Sequence, residues 1–268
     1  MWRIGLLLAI LLQVQSGQAE TQRVEGLEFE QVLVYGNTEV EITQGEQAGL
    51  LVRGSSSKLE KEPFYVDGDT LVLGRSKRHR RAGFSSVQFK LTVAEITHLQ
   101  LKGSGDIYVK PLVLDRLYVS IEGSGGIKLF ELDVPDLTMQ MSGSGDLLAA
   151  RVATDALRMV QSGSGDLHLG ELHASTVKIS LSGSGDMSIR ESGSSDSLEI
   201  NIVGSGDVDL EALESLEASV NIAGSGTATL SVADTLDVNI MGSGDVFYRG
   251  DPQLHQSVLG SGESRRID

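Results

Sequence analysis

The sequence predicts an all-β fold, a single-stranded parallel β-helix of about 20 residues per coil, on three observations. Gly-Ser-Gly occurs nine times, at Gly103, Gly123, Gly143, Gly163, Gly183, Gly204, Gly224, Gly242 and Gly260. Successive starts lie 20, 20, 20, 20, 21, 20, 18 and 18 residues apart, a period that means stacked repeats. The flanking residues alternate apolar and polar, which is the pattern of a strand with one buried face.

The element before each motif is a strand. Two residues ahead of the first glycine stand Leu101, Ile121, Met141, Gln161, Leu181, Ile202, Ile222 and Ile240, and four ahead stand Leu99, Val119, Met139, Met159, Ile179, Ile200, Val220 and Val238. Polar residues such as Ser120, Gln140, Ser180, Asn201, Asn221 and Asn239 lie between them. The same parity continues after the motif through Ile127, Leu147, Leu167, Met187 and Val208, then Val109, Leu129, Leu169, Ile189 and Leu210. A third apolar cluster is marked by Leu112, Leu132, Val152, Leu172 and Leu213. Three clusters separated by bends make one coil, with each strand paired to its equivalent about 4.8 Å along the axis. Crossover chirality favours a right-handed winding. A leucine-rich repeat would place its asparagines inside, whereas these fall on outward positions. "LEALESLEAS" from Leu210 to Ser219 has helical propensity, yet Leu213 and Ala218 keep the column register, so it reads as strand.

The motif itself is the corner. Gly103, Gly105, Gly143, Gly145, Gly163, Gly165, Gly183, Gly185, Gly204, Gly206, Gly242 and Gly244 are the structural corner glycines, bending the chain where a Cβ would crowd the next coil. Serine and aspartate then face outward. Asp146, Asp166, Asp186 and Asp207 fall on four successive coils, with Asp106 and Asp245 beyond breaks at Gly126 and Thr227. Unit charges one coil apart repel by ~0.9 kcal/mol in water and ~3.5 kcal/mol at an effective dielectric of 20. Hydrogen bonds from turn amides or the motif serine offset that repulsion in the favoured reading. The alternative is a cation ladder, with calcium as the candidate ion at those four aspartates.

Four segments follow from these elements. Residues 1–19 read as a cleaved secretory signal: Arg3 precedes an apolar run from Ile4 to about Val14, and Gly17 and Ala19 suit a cut before Glu20. Residues 20–101 are diverged N-terminal coils with loop or capping insertions. Val32 and Val34 precede Gly36 and Val40 and Ile42 follow it at the repeat offsets, while Val87, Phe89, Leu91 and Val93 resume the alternation. Residues 102–263 are the regular GSGD β-helix and 264–268 a polar tail. The last coil, with Val258 inward, leaves an edge that needs a cap or partner.

Composition narrows the function. A formal net charge of −15 opposes nucleic-acid binding. The basic run from Arg75 to Arg81 reads as a solvated loop rather than a polyanion-docking patch. Without cysteine there is no disulfide framework, thiolate metal site or lipid-attachment cysteine. His79, His98, His168, His173 and His255 form no metal pair spaced by four residues, and most are assigned to the surface. No nucleophile elbow joins a strand to a helix, and Arg249–Asp251, "RGD", is read as a turn beside Pro252. Uniform carboxylate columns with 4% aromatic content argue against a polysaccharide lyase or hydrolase, which stays as the enzyme alternative.

In order, the secretory signal, "FEQVLVYGNTEVEITQG", "DGDTLVLG", "VQFKLTV" and "ITHLQLKGSGDI" followed by GSGD repeats resemble the bacterial family described as putative auto-transporter adhesin, head GIN domain (DUF2807), over about residues 28 to 250. The resemblance implies a β-helical protein of the envelope or exterior, names adhesion as its role and carries over no catalytic residue. The residues after Gly260, "SGESRRID", are too few for a membrane barrel. The expected protein is therefore a noncatalytic, exported adhesion or surface-binding module, periplasmic or at the cell surface, without cofactor, whose partner is a cell-surface glycan or envelope component. An envelope scaffold without a specific ligand is the alternative.

Overall fold

The computed structural model describes residues 11–13, 19–79 and 81–268. They form a β-solenoid of about 8 turns with ~20-residue spacing, and α1 (Ser56–Leu59) is the one helix among the described residues. Neighbouring coils pair in parallel and in register, so that Leu147 faces Leu167, Met159 faces Ile179 and Gly163 faces Gly183. "LEALESLEAS" is strand within Val208–Gly224, with Leu213 and Ala218 buried. The burial of neighbouring coils overrides local helix propensity there.

The inward columns of the three clusters make one continuous aliphatic core. Ile107, Ile127, Leu147, Leu167 and Val208 lie in one buried column, and Leu99, Val119, Met139, Met159 and Ile179 in another. Burying such a side chain contributes about 1.5–3 kcal/mol, so each coil is held mainly by its apolar columns. Gln161 is the polar member of the column otherwise formed by Leu, Ile and Met. It is 1% exposed, its Nε2 donates to the Gly165 carbonyl, and its Oε1 has no partner. Val258 shares a column with Ile240 by register, yet it is 39% exposed, against 2% for Ile240. Val258 thus keeps the inward register and lies at the exposed edge expected of the last coil: among the described residues no further coil lies over it to complete its burial.

The spacing irregularities have structural counterparts. In the 21-residue interval, Leu169 pairs with Ile189 but Glu171 pairs with Ser192, so Arg190 and Glu191 together oppose Gly170 as a β-bulge. In the first 18-residue interval, Leu210 pairs with Leu230 and Glu214 already with Ser231, which tightens the coil beyond its second side.

The N-terminal end is built differently. The short strand β1 (Leu11–Gln13) pairs antiparallel with β2 (Glu20–Glu25). The strands β3 (Gln31–Gly36) and β4 (Glu39–Gln44) form an early coil, with Val32 opposite Leu99 and Val40 opposite Ile107. The chain then reverses in β5 (Gly49–Gly54), which runs antiparallel to β2. A hairpin of β6 (Phe64–Asp67) and β7 (Thr70–Leu73) lies beside β3. Finally β8 (Gln88–Val93) pairs parallel with β4 and antiparallel with β5. The rest of the predicted leader, residues 1–10 and 14–18, lies outside the described residues.

Candidate functional site

The aspartate corner comes first because the sequence pointed to it. The backbone N–H of Asp166 donates to Asp146 Oδ1 at 3.2 Å, that of Asp186 to Asp166 Oδ1 at 3.0 Å, that of Asp207 to Asp186 Oδ1 at 3.1 Å and that of Thr227 to Asp207 Oδ1 at 2.8 Å. Each carboxylate therefore bonds the next coil rather than an amide or serine of its own turn. Above Gly126 and Thr227, which lack a carboxylate, Asp146 and Asp245 donate instead to the carbonyls of Gly125 and Gly226, both at 3.3 Å. Asp106 is an exception, since Gly126 above it donates to the Gly105 carbonyl at 3.0 Å. A hydrogen bond to a charged acceptor contributes about 1.5–3 kcal/mol. Asp146, Asp186 and Asp207 are exposed, so the ~0.9 kcal/mol repulsion applies and the bonds outweigh it. Among the described residues no three His, Cys, Asp or Glu side chains come together as a metal-ligating group.

The motif glycines sit against the coil below. At Gly163 φ is +133°, which disfavours any side chain, and an added Cβ would also collide with the Gly143 carbonyl. At Gly165 the obstacle is space alone: a Cβ would strike the Gly145 carbonyl oxygen.

A second site, unremarked by sequence reasoning, lies on the side that follows this corner. Two outward columns there carry Lys128, Leu148, His168, Ser188 and Asp209, and Phe130, Ala150, Gly170, Arg190 and Glu211. They line two adjoining concavities that share His168 and Arg190. One, of about 280 Å³, has Leu148, Ala150 and Gly170 along its floor and Lys128, Phe130 and Glu191 among its walls. The other, of about 510 Å³, is bordered by Ser188, Asp186, Asp207, Asp209 and Glu211. Five coils span about 19 Å at the strand spacing.

Between the two hollows stands a hydrogen-bonded unit. An Arg190 terminal nitrogen (NH2) lies 2.9 Å from His168 Nε2, and His168 Nδ1 lies 2.7 Å from Ser188 Oγ. Arginine only donates, so Nε2 accepts and Nδ1 carries the ring proton toward Ser188. The Arg190 Nε–H also donates to Ser188 Oγ, at 3.2 Å. His168 thus has no free lone pair to take the serine proton, and the Ser188 hydroxyl hydrogen is left to point elsewhere. Burial, then the Arg190 charge, lower the His168 pKa, against the opposing pull of Asp166, Asp146 and Asp186. The bulge at Arg190 and Glu191 places the guanidinium over the preceding coil, and the absence of a side chain at Gly170 leaves the smaller hollow open.

Asp186 and Asp207 border the larger hollow, whereas Asp146 and Asp166 continue the corner column outside its lining. Ser188 and Arg190 escaped sequence reasoning because neither belongs to the repeated motif, and His168 figures there only as one of five histidines without a metal pair. Two signals were available: the single 21-residue interval, which is the bulge, and apolar Leu148 in an outward column.

Other candidates are engaged within the protein. Arg249 of the RGD triplet pairs with Glu211 at 2.8 Å and Asp251 with Arg266 at 2.8 Å. In the basic run, Lys77 pairs with Asp67 at 3.2 Å, Arg78 with Glu62 at 3.5 Å, and Arg75 lies 4.7 Å from the Tyr35 ring centre. Arg80 lies outside the described residues.

The fold and these faces define a class, the β-solenoid that displays its outward side chains as columns on extended sides. Within that class, the chain belongs to the family described as putative auto-transporter adhesin, head GIN domain, whose model matches residues 28–196 and 188–252. Among solved structures it is similar to a putative lipid binding protein from Parabacteroides distasonis, with TM-score 0.67 and 24% identity. It is also similar to a putative adhesin from Parabacteroides merdae, with TM-score 0.69 and 17% identity. Each alignment covers 94% of this chain and 98% of the other. At these identities the likeness is one of fold. No curated protein sequence matches the chain.

Proposed function

We propose that this protein is a noncatalytic, exported binding module that holds an envelope or cell-surface ligand against the side of the solenoid bearing Leu148, His168 and Arg190. The observation that carries the reading is the pair of adjoining hollows joined by the His168–Ser188–Arg190 unit. The repeat itself supplies uniform columns; here the columns become non-uniform, grading from apolar to acidic across neighbouring coils. The family description, an adhesin head, supports attachment as the role and an extracytoplasmic location. The residue 1–19 pattern supports export. Among the described residues no helix is long and apolar enough to cross a membrane. The tautomer of His168 disfavours a serine nucleophile.

A glycan array and a cell-surface binding assay test this with wild type, Arg190→Ala, Asp166→Ala and Asp186→Ala. The expected outcome is binding that Arg190→Ala and Asp186→Ala weaken without unfolding, while Asp166→Ala changes it little. Turnover of a polysaccharide would establish an enzyme instead, and the absence of any binding would leave a scaffold.

A further inference from the structure

We infer that the two hollows together take a neutral oligosaccharide of N-acetylated amino sugars, one acetamido methyl seated on Ala150 and Gly170 and its amide and ring hydroxyls met by the polar unit and carboxylates beside it. This rests on the binding role proposed above and names the ligand's chemistry.

Three properties of the site select that class. The smaller hollow offers small apolar surface on which a methyl group can rest, with Ala150 exposed and Leu148 and Gly170 half-buried, and it is bordered by Lys128, Arg190 and Glu191. Directly beside it, Arg190 keeps N–H donors beyond those given to His168 and Ser188, and Ser188 keeps its hydroxyl proton. These suit an amide carbonyl. The larger hollow then offers acceptors: Asp186 and Asp207 each use Oδ1 on the amide of the next coil, and Asp209 uses Oδ1 on the Glu211 N–H at 3.2 Å. Their remaining oxygens suit sugar hydroxyls and an amide N–H.

Charge decides between ligand classes. Asp186, Asp207, Asp209 and Glu211 outnumber Arg190 in the larger hollow, where Glu211 is already paired with Arg249 at 2.8 Å, while in the smaller hollow Glu191 stands against Lys128 and Arg190. A phosphate or carboxylate ligand would be repelled there. A free amine would satisfy the carboxylates but leave the apolar seat unused. A neutral acetamido sugar uses both.

Titration calorimetry with N-acetylglucosamine tetramer, glucosamine tetramer and cellotetraose tests the inference. The acetylated tetramer should bind about tenfold or more tightly than either of the others, the scale set by one apolar group in a matched pocket. Ala150→Leu, an exposed position, fills the seat and should abolish that preference; Leu148→Ser makes its floor polar and should do the same if Ala150→Leu misfolds. Melting curves identify folded variants. Equal affinity for cellotetraose, tighter binding of the glucosamine tetramer, or no binding of the acetylated tetramer at millimolar concentration overturns the inference. If another glycan then binds and Arg190→Ala releases it, the binding role of this side stands without the acetamido assignment; if none binds, both fall.

Discussion

The regular stack and the N-terminal end solve the same packing problem with different material. From Ile96 to Val246 the buried apolar residues are Leu, Ile, Val, Met and Ala, whereas the only buried aromatics among the described residues, Phe84 and Phe89, lie at the N-terminal end. Parallel coils leave a narrow interior that the same small set of aliphatic side chains refills at each turn. Where β5 and β2 run antiparallel, the shape changes and larger rings fit. Glycine differs in the same way. An added Cβ meets nothing within 4 Å at Gly49 in β5, whereas at Gly165 it meets the backbone of the coil below. The stack's corner is therefore closed to a side chain at each coil, whereas the N-terminal end is closed at Gly74, where a Cβ would meet the Tyr35 carbonyl, and open at Gly49.

The sharpest break of that contrast is Gly165→Ala against Gly49→Ala. The first should destabilise by about 3 kcal/mol or more, because a carbonyl fixed by the coil below cannot yield. The second should change stability by less than about 0.5 kcal/mol. Chemical denaturation of both variants reads the difference, and equal losses would refute the corner's special status. Next in size is Gln161→Leu, which restores the aliphatic column and removes the unpartnered Oε1 but also takes the Nε2 donor from the Gly165 carbonyl. The apolar gain exceeds that loss and should stabilise the protein by about 1–2 kcal/mol, seen as a higher denaturation midpoint at unchanged slope.

A smaller effect is expected at the aspartate corner. Asp166→Ala removes the acceptor of the Asp186 N–H and relieves repulsion from its neighbours, so a net loss of about 1 kcal/mol should remain. Asp166→Asn keeps an acceptor and should lose less. The melting curve should be the same in calcium and in chelator; a rise with calcium would establish the cation ladder. The smallest effect concerns His168. Its pKa is lowered in the folded protein, so on acidification the unfolded chain takes up the proton first and stability falls. The decline begins as pH drops through about 6.5 and ends once the folded ring is also protonated. His168→Gln should flatten that part of the stability profile measured by denaturation at stepped pH values.

Much of the fold was legible because a solenoid repeats its constraints. A buried column announces itself through Leu99, Val119, Met139 and Ile179 at one offset, and Leu213 and Ala218 override a helical-looking segment by the same register. The early coil around Gly36 was legible for that reason too, through Val32, Val34, Val40 and Ile42. The antiparallel path of β5 was not, since it occurs once and its residues recur at no offset. Val258 was legible too: its parity is that of a buried residue, and its exposure is that of the edge expected at the last coil.

The sequence by itself determined the period, the inward columns and the corner at which glycine is required, because each is enforced at every coil by contact with an equivalent neighbour. The tertiary structure alone decided what the outward residues do. It directed each aspartate to the amide of the next coil and turned a one-residue excess into the bulge that sets Arg190 against His168. The physical reason is that neighbours across coils are about 20 residues apart in sequence but one strand spacing apart in space. Their chemistry is written in single side chains rather than in the repeat.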